Sequence, residues 1–173
     1  MKRARPQSGF SFLELALVVF ILSLMAVVSL PRLGDFLWSG RMDAAIKDIT
    51  RTLTYARSSA ATSAGVLYLH MDMAERTYWV SRDPSKESKP ERREDLAELH
   101  RLPDSIRFRD VITAGRGRVT EGRTTIRFAA NGAVETADIH LTESTDRDYT
   151  ISVRPLTGNV KVEDSYVVQK DLG

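Results

Sequence analysis

Apolar residues run almost unbroken from Phe12 to Leu30, and Glu14 is the one charged residue among them. At about 1.5 Å per residue, a helix over this run reaches roughly 28 Å, close to the hydrocarbon thickness of a bilayer. A carboxylate inside such a span costs about 2.5–3.5 kcal/mol, so something must offset Glu14. Helical patterning continues past the run. Met42, Ile46, Ile49, Leu53, Ala56 and Ala60 recur at alternating spacings of four and three, which places them in one apolar stripe. Arg41, Asp43, Lys47, Asp48, Arg51 and Arg57 fall between them and suit a wet face. Pro31 removes a backbone donor and Gly34 loosens the next turn, so a kink is expected there. The pattern predicts one helix from Phe10 to about Ser63. Its outer half needs a cover, and the downstream strands are the expected one, with a coiled-coil partner the alternative.

After Ala64 the period changes from 3.6 to 2. GVLYLHM and RTYWVS, with Asp72 to Glu75 between them, predict a first hairpin. The segment 82–98 holds two prolines and eleven charges, the composition of a solvated loop. SIRFRDVI predicts a further strand. TTIRFA and ADIHLT, on either side of Asn131-Gly132, predict a second hairpin, and YTISVRP with NVKVE a third.

The chain has 173 residues and no cysteine, which rules out disulfides and thiolate chemistry. Its formal charge is +2, but Lys2, Arg3 and Arg5 all precede the apolar run, and loss of that leader would leave −1. Cations on that side keep the N-terminus cytoplasmic and send the remainder outward. A cleaved secretory signal also begins basic and apolar. This run, however, is longer, carries Glu14 and lacks a small-x-small site after Leu30.

A basic leader ending in Gly9, followed by FSFLELALVVFILSLMAVVSLP, resembles the class III signal of type IV pilins and type II secretion pseudopilins. The resemblance implies cleavage by the prepilin peptidase between Gly9 and Phe10 and N-methylation of Phe10. It also implies an assembly role for Glu14 and a helix-bending role for Pro31. The physical account fits beside it. Glycine has no side chain to obstruct a confined cleavage site. The new amine on Phe10 lies four residues from Glu14, on the same helical face. That amine, from the same chain or a neighbour, offsets the buried carboxylate in low dielectric. Further on, DAAIKDITRTLTYARSSAATSAGVLYLHMDMAERTYWV and TTIRFAANGAVETADIHLTESTDRDYTISVRPLTGNVKV resemble the GspH/FimT group of minor pseudopilins.

Other constellations are weaker. His70, His100 and His140 are scattered and suit ordinary strand or loop positions better than a metal site. Glu143, Asp146 and Asp148 have oxygen ligands suited to calcium, but their spacing favours solvated turn charges. AGRGRV lacks the third glycine of a nucleotide fingerprint. Seven arginines between Arg101 and Arg127 face five acids between Glu135 and Asp148, a bipolar pattern suited to head-to-tail packing of subunits. Arg116 and Arg118, with Arg123 and Arg127 nearby, are the candidate contacts for an anion or DNA.

The expected architecture is therefore α+β and pilin-like, with a long N-terminal helix packed against an antiparallel β-sheet domain. Its parts are a leader over 1–9, a membrane span over 10–30, an amphipathic helix over 31–63 and a β-rich domain over 64–173, with the charged loop at 82–98. The expected function is that of a minor pseudopilin in a type II secretion system, at the tip of the pseudopilus. The alternative is a FimT-like minor pilin of a type IV pilus, one that contacts DNA in uptake. The chain catalyses nothing itself, and no cofactor or metal is expected. The expected partners are other pseudopilins, major and minor, in a hetero-oligomer, together with the prepilin peptidase and the inner membrane; nucleic acid is set aside.

Overall fold

The computed structural model of the chain describes residues 11–84, 99–144, 146–155, 159–169 and 172, with backbone alone over 26–39. The leader, the Gly9–Phe10 junction, the side chain of Pro31 and the loop from 85 to 98 lie outside these residues. One helix, α1, runs over Phe12–Thr62. The chain divides into two compact units, Met1–Gly40 and Arg41–Gly173.

In the first unit, every large apolar side chain from Phe12 to Met25 is exposed, from 45% at Val18 to 88% at Phe12. Ser23 returns its hydroxyl to the carbonyl of Val19 at 2.8 Å, a bond made within the helix itself. No helix among the described residues is long and apolar enough to cross a membrane. Residues 26–30, which complete the expected span, are not among those whose side chains are described.

The second unit holds two antiparallel sheets. The first has the order β3-β2-β1-β6, from β1 (Leu67–Asp72), β2 (Thr77–Ser81), β3 (His100–Arg101) and β6 (Arg123–Phe128). The second has the order β5-β4-β7-β8-β9, from β4 (Ile106–Thr113), β5 (Gly117–Val119), β7 (Ala137–Glu143), β8 (Asp148–Val153) and β9 (Val160–Glu163). Met42, Ile46, Ile49, Leu53, Ala56 and Ala60 are all buried in one core with Leu67, Leu69, Ile126, Phe128, Ile139 and Ile151. The helical stripe is thus covered by the strands, as its spacing requires.

The first and third expected hairpins form, with Leu69 opposite Val80 and Ile151 opposite Val162. The second does not. β6 pairs with β1, whereas β7 lies between β4 and β8 in the other sheet. Asn131-Gly132 still makes a tight turn, with Gly132 at φ +79° and its N–H bonded to the Ala129 carbonyl at 2.9 Å. The ladder beyond it stops at a single bridge, Phe128 to Val134. At the next position the Glu135 N–H still donates to the Arg127 carbonyl at 2.9 Å, but the Arg127 N–H goes to the Glu135 side-chain carboxylate at 3.1 Å. The chain is then free to cross to β4, where the Ala114 N–H meets the Thr136 carbonyl at 3.1 Å.

Candidate functional site

A bulge in β4 between Phe108 and Asp110 decides which chemistry faces where. Ile106 and Phe108 precede it and join the core, as does Val111 after it, while Asp110 is turned to the opposite face. There Asp110 lies opposite His140, and the two bond at 2.7 Å through Nδ1. The other ring nitrogen of His140 donates to the Val167 carbonyl at 2.8 Å, and its ring stacks on Tyr166 at 4.1 Å. The Tyr166 hydroxyl donates to Asp110, and burial followed by that carboxylate raises its pKa. Asp138, fully buried, accepts from Ser152 and from the backbone and side chain of Gln169. The segment Ser165–Gln169 therefore lies as a strap over a polar sheet face. No pattern in the sequence announces it, because alternating Asp and His in a strand ordinarily marks a wet face.

This strap changes the reading of the charges. The acidic stretch from Glu135 to Asp148 does not form a surface patch: Asp138 and Glu143 are buried, and Asp148 pairs with Arg109 and accepts from Thr142. β7 is a central strand covered on both faces, which draws those acids inward. Glu143 is therefore not the solvated turn charge expected of it, and the bipolar surface is not made. No group of three or more His, Asp or Glu is placed to hold a metal ion among the described residues.

The basic cluster is divided in the same way. Arg118 lies opposite Ile112, and its guanidinium sits over the Tyr166 ring at 5.8 Å, on the strap side. Arg123 pairs with Asp72 at 2.8 Å and lies over Trp79. Arg116 and Arg127 instead line one cavity of about 480 Å³, together with Tyr68, Thr125, Val134 and Glu135. Hence Arg116 and Arg118, adjacent in the sequence argument, serve different places: Arg116 lies in the β4–β5 turn and Arg118 within β5, with Gly117 at φ +67° between them.

Glu135 fixes the cavity wall. Its Oε1 accepts the Gly115 N–H at 2.8 Å and its Oε2 the Arg127 N–H, so one carboxylate ties the β4–β5 turn to the edge of β6. A Cβ on Gly115 would stand 2.7 Å from Oε1, so a larger residue there would make the Glu135 carboxylate shift. Arg57 on α1 donates to the Gly132 carbonyl at 3.0 Å and anchors the crossover from the other side.

Each histidine has partners within the chain. His70 stacks on Trp79 and bonds Ser81 at 3.0 Å, and burial lowers the pKa of its imidazole. His100 stacks on Tyr78 and donates to Asp48 on α1 at 2.9 Å. The Tyr78 hydroxyl donates to the same oxygen at 2.5 Å, and burial, then that bond, raises its pKa. Glu14 is exposed in the single chain, where its N–H faces the Ser11 hydroxyl at 3.4 Å.

Residues 45–157 match the family model described as "Type II transport protein GspH". Two solved structures of the minor pseudopilin EpsH from the type II secretion system of Vibrio cholerae share the fold. One has a TM-score of 0.57 at 9% identity, over 75% of this chain and 98% of that one. The other has a TM-score of 0.52 at 10% identity, over 70% and 95%. The type IV minor pilin FimU of Pseudomonas aeruginosa aligns at a TM-score of 0.49 and 16% identity, over 74% and 92%. No curated protein sequence matches the chain. At these identities the structural likeness speaks for the fold.

Proposed function

This chain belongs to the GspH family, the type II transport proteins, and we propose that it acts as a minor pseudopilin in the pseudopilus of a type II secretion system. The observation that carries the reading is the family match over 45–157 standing downstream of the Gly9–Phe10 junction and Glu14. On this reading the prepilin peptidase removes residues 1–9 and Phe10 is N-methylated. Residues 10–30 then anchor the chain in the inner membrane, with the second unit in the periplasm. The exposed apolar side chains from Phe12 to Met25 support an anchor, since a surface of that kind needs lipid or a subunit to cover it. Glu14 pairs with the amine of a neighbouring subunit, which offsets its cost in the bilayer. The chain is structural and is a substrate of the peptidase; Pro31 sets the bend in the helix.

The second reading is a FimT-like minor pilin of a type IV pilus. It draws on the same leader and on the arginines of the cavity. Deleting the gene and measuring protein secretion, twitching and transformation side by side separates the two. We expect secretion to fail while twitching and DNA uptake persist. Loss of twitching or transformation with intact secretion would transfer the protein to the pilus.

A further inference from the structure

We propose that the face of β4, β7 and β8 beneath Ser165–Gln169 is a peptide-binding site, filled in cis by the chain's own strap and open to the same segment of a second copy of the chain. The contacts run mainly from side chains of the sheet to the backbone of the strap. Thr150 donates its hydroxyl to the Ser165 carbonyl at 2.6 Å and accepts the Val167 N–H at 3.0 Å. His140 donates to the Val167 carbonyl at 2.8 Å, and Asp138 accepts the Gln169 N–H at 2.6 Å. Backbone groups of residues 165, 167 and 169 are thus held in turn, the period of an extended chain. A surface that grips the backbone at every second residue selects an extended peptide as its ligand. It does what a sheet edge does in strand addition, with side chains in place of the ladder.

Two side chains of the strap add selectivity. The Tyr166 ring stacks on His140 with the Arg109 guanidinium at 4.6 Å, and its hydroxyl reaches Asp110 at 3.2 Å. Gln169 donates its amide to the second oxygen of Asp138 at 2.7 Å. The receiving groups are fixed: Asp110, His140 and Thr150 stand opposite one another on three neighbouring strands, all buried. The occupant is held less firmly. None of residues 164–169 belongs to the hydrophobic core, which Ile139, Leu141 and Ile151 join from the other face of the same strands, so lifting the strap leaves that core closed. The uncovered face is polar, and water can satisfy Asp138, His140 and Thr150. The strap joins β9 through the exposed bend Asp164–Ser165, which suits a hinge. A second copy carries identical groups on an identical segment, so each bond can reform in trans.

The test uses the full chain, isotope-labelled in detergent micelles, with a protease site inserted between Asp164 and Ser165. After folding, the bend is cut and the released C-terminal segment is dialysed away. The probe is the blocked peptide acetyl-Ser-Tyr-Val-Val-Gln-amide, followed by NMR at the amides of Asp138, His140, Thr150 and Ser152. The peptide is expected to return these amides to their positions in the uncut chain. N-methylation at the Val167 position removes the donor to Thr150, and alanine at the Tyr166 position removes the ring; each is expected to weaken binding roughly tenfold. No shift at millimolar peptide, or equal binding of the N-methylated peptide, overturns the proposal. An uncut Tyr166→Ala/Gln169→Ala chain, whose strap is tethered but weakened, gives a reading that does not depend on the cut. The peptide is expected to displace that strap, and no displacement at millimolar concentration also overturns the proposal. Last, an unlabelled uncut His140→Ala chain, whose own site is spoiled, is expected to fill the cut chain in trans and reproduce the same shifts. A cut chain that takes the peptide but not this donor overturns the second copy as its occupant.

Discussion

Glu14→Ala is expected to leave leader removal and folding intact while cutting recovery of the chain with its partner subunits by about tenfold or more. The magnitude follows from the position. A carboxylate in an apolar span costs about 2.5–3.5 kcal/mol, and only a partner amine makes that cost useful. If pairing returns even part of it, loss of about 1.4 kcal/mol corresponds to a factor of ten in assembly. Nothing in the second unit depends on Glu14: that unit begins at Arg41 and has its own core. Cross-linking in membranes that hold the other pseudopilins is the measurement. An unchanged cross-linking yield together with unchanged secretion would make Glu14 a tolerated charge.

Leu53→Ala should have the largest effect on stability, about 2–5 kcal/mol, through lost transfer energy and the cavity left behind. Leu53 is 2% exposed at the centre of the helical stripe and meets the sheets from above the core. Its neighbour Thr54 is exposed and bonds only the Thr50 carbonyl of its own helix at 2.8 Å. Thr54→Ala is accordingly expected to stay within about 0.5 kcal/mol. Chemical denaturation of the two variants, read by the fluorescence of buried Trp79, checks the contrast. Equal midpoints would mean that the helix is not held by this stripe.

Much of the fold is legible in the sequence because period alone carries it. A 3.6-residue stripe from Met42 to Ala60 and a change to period 2 after Ala64 place the helix and β1 within a residue or two. The errors come where side chains replace the backbone as partners. Asn131-Gly132 is a sound turn signal, yet the ladder after it is cut short by the carboxylate of Glu135. Local turn chemistry does not reveal which sheet a strand will join. The basic cluster fails for a related reason: sequence distance places Arg116 beside Arg118, but Arg116 stays in the β4–β5 turn at the cavity while Arg118 enters β5 and lies over Tyr166. The strap is the deepest omission. Asp138 and His140 read as a solvated face until Ser165–Gln169 covers them with polar groups of its own.

The central claim is that this GspH-family chain works as a processed pseudopilin, and its first residue after maturation tests that most directly. The measurement is the intact mass and N-terminal fragmentation of the protein extracted from membranes of cells that contain the prepilin peptidase. The account predicts a chain that begins at Phe10, lacks residues 1–9 and carries one methyl group on its amine. A chain that still begins at Met1 in those cells, or one cut after Leu30 as a secretory signal would be, would contradict it.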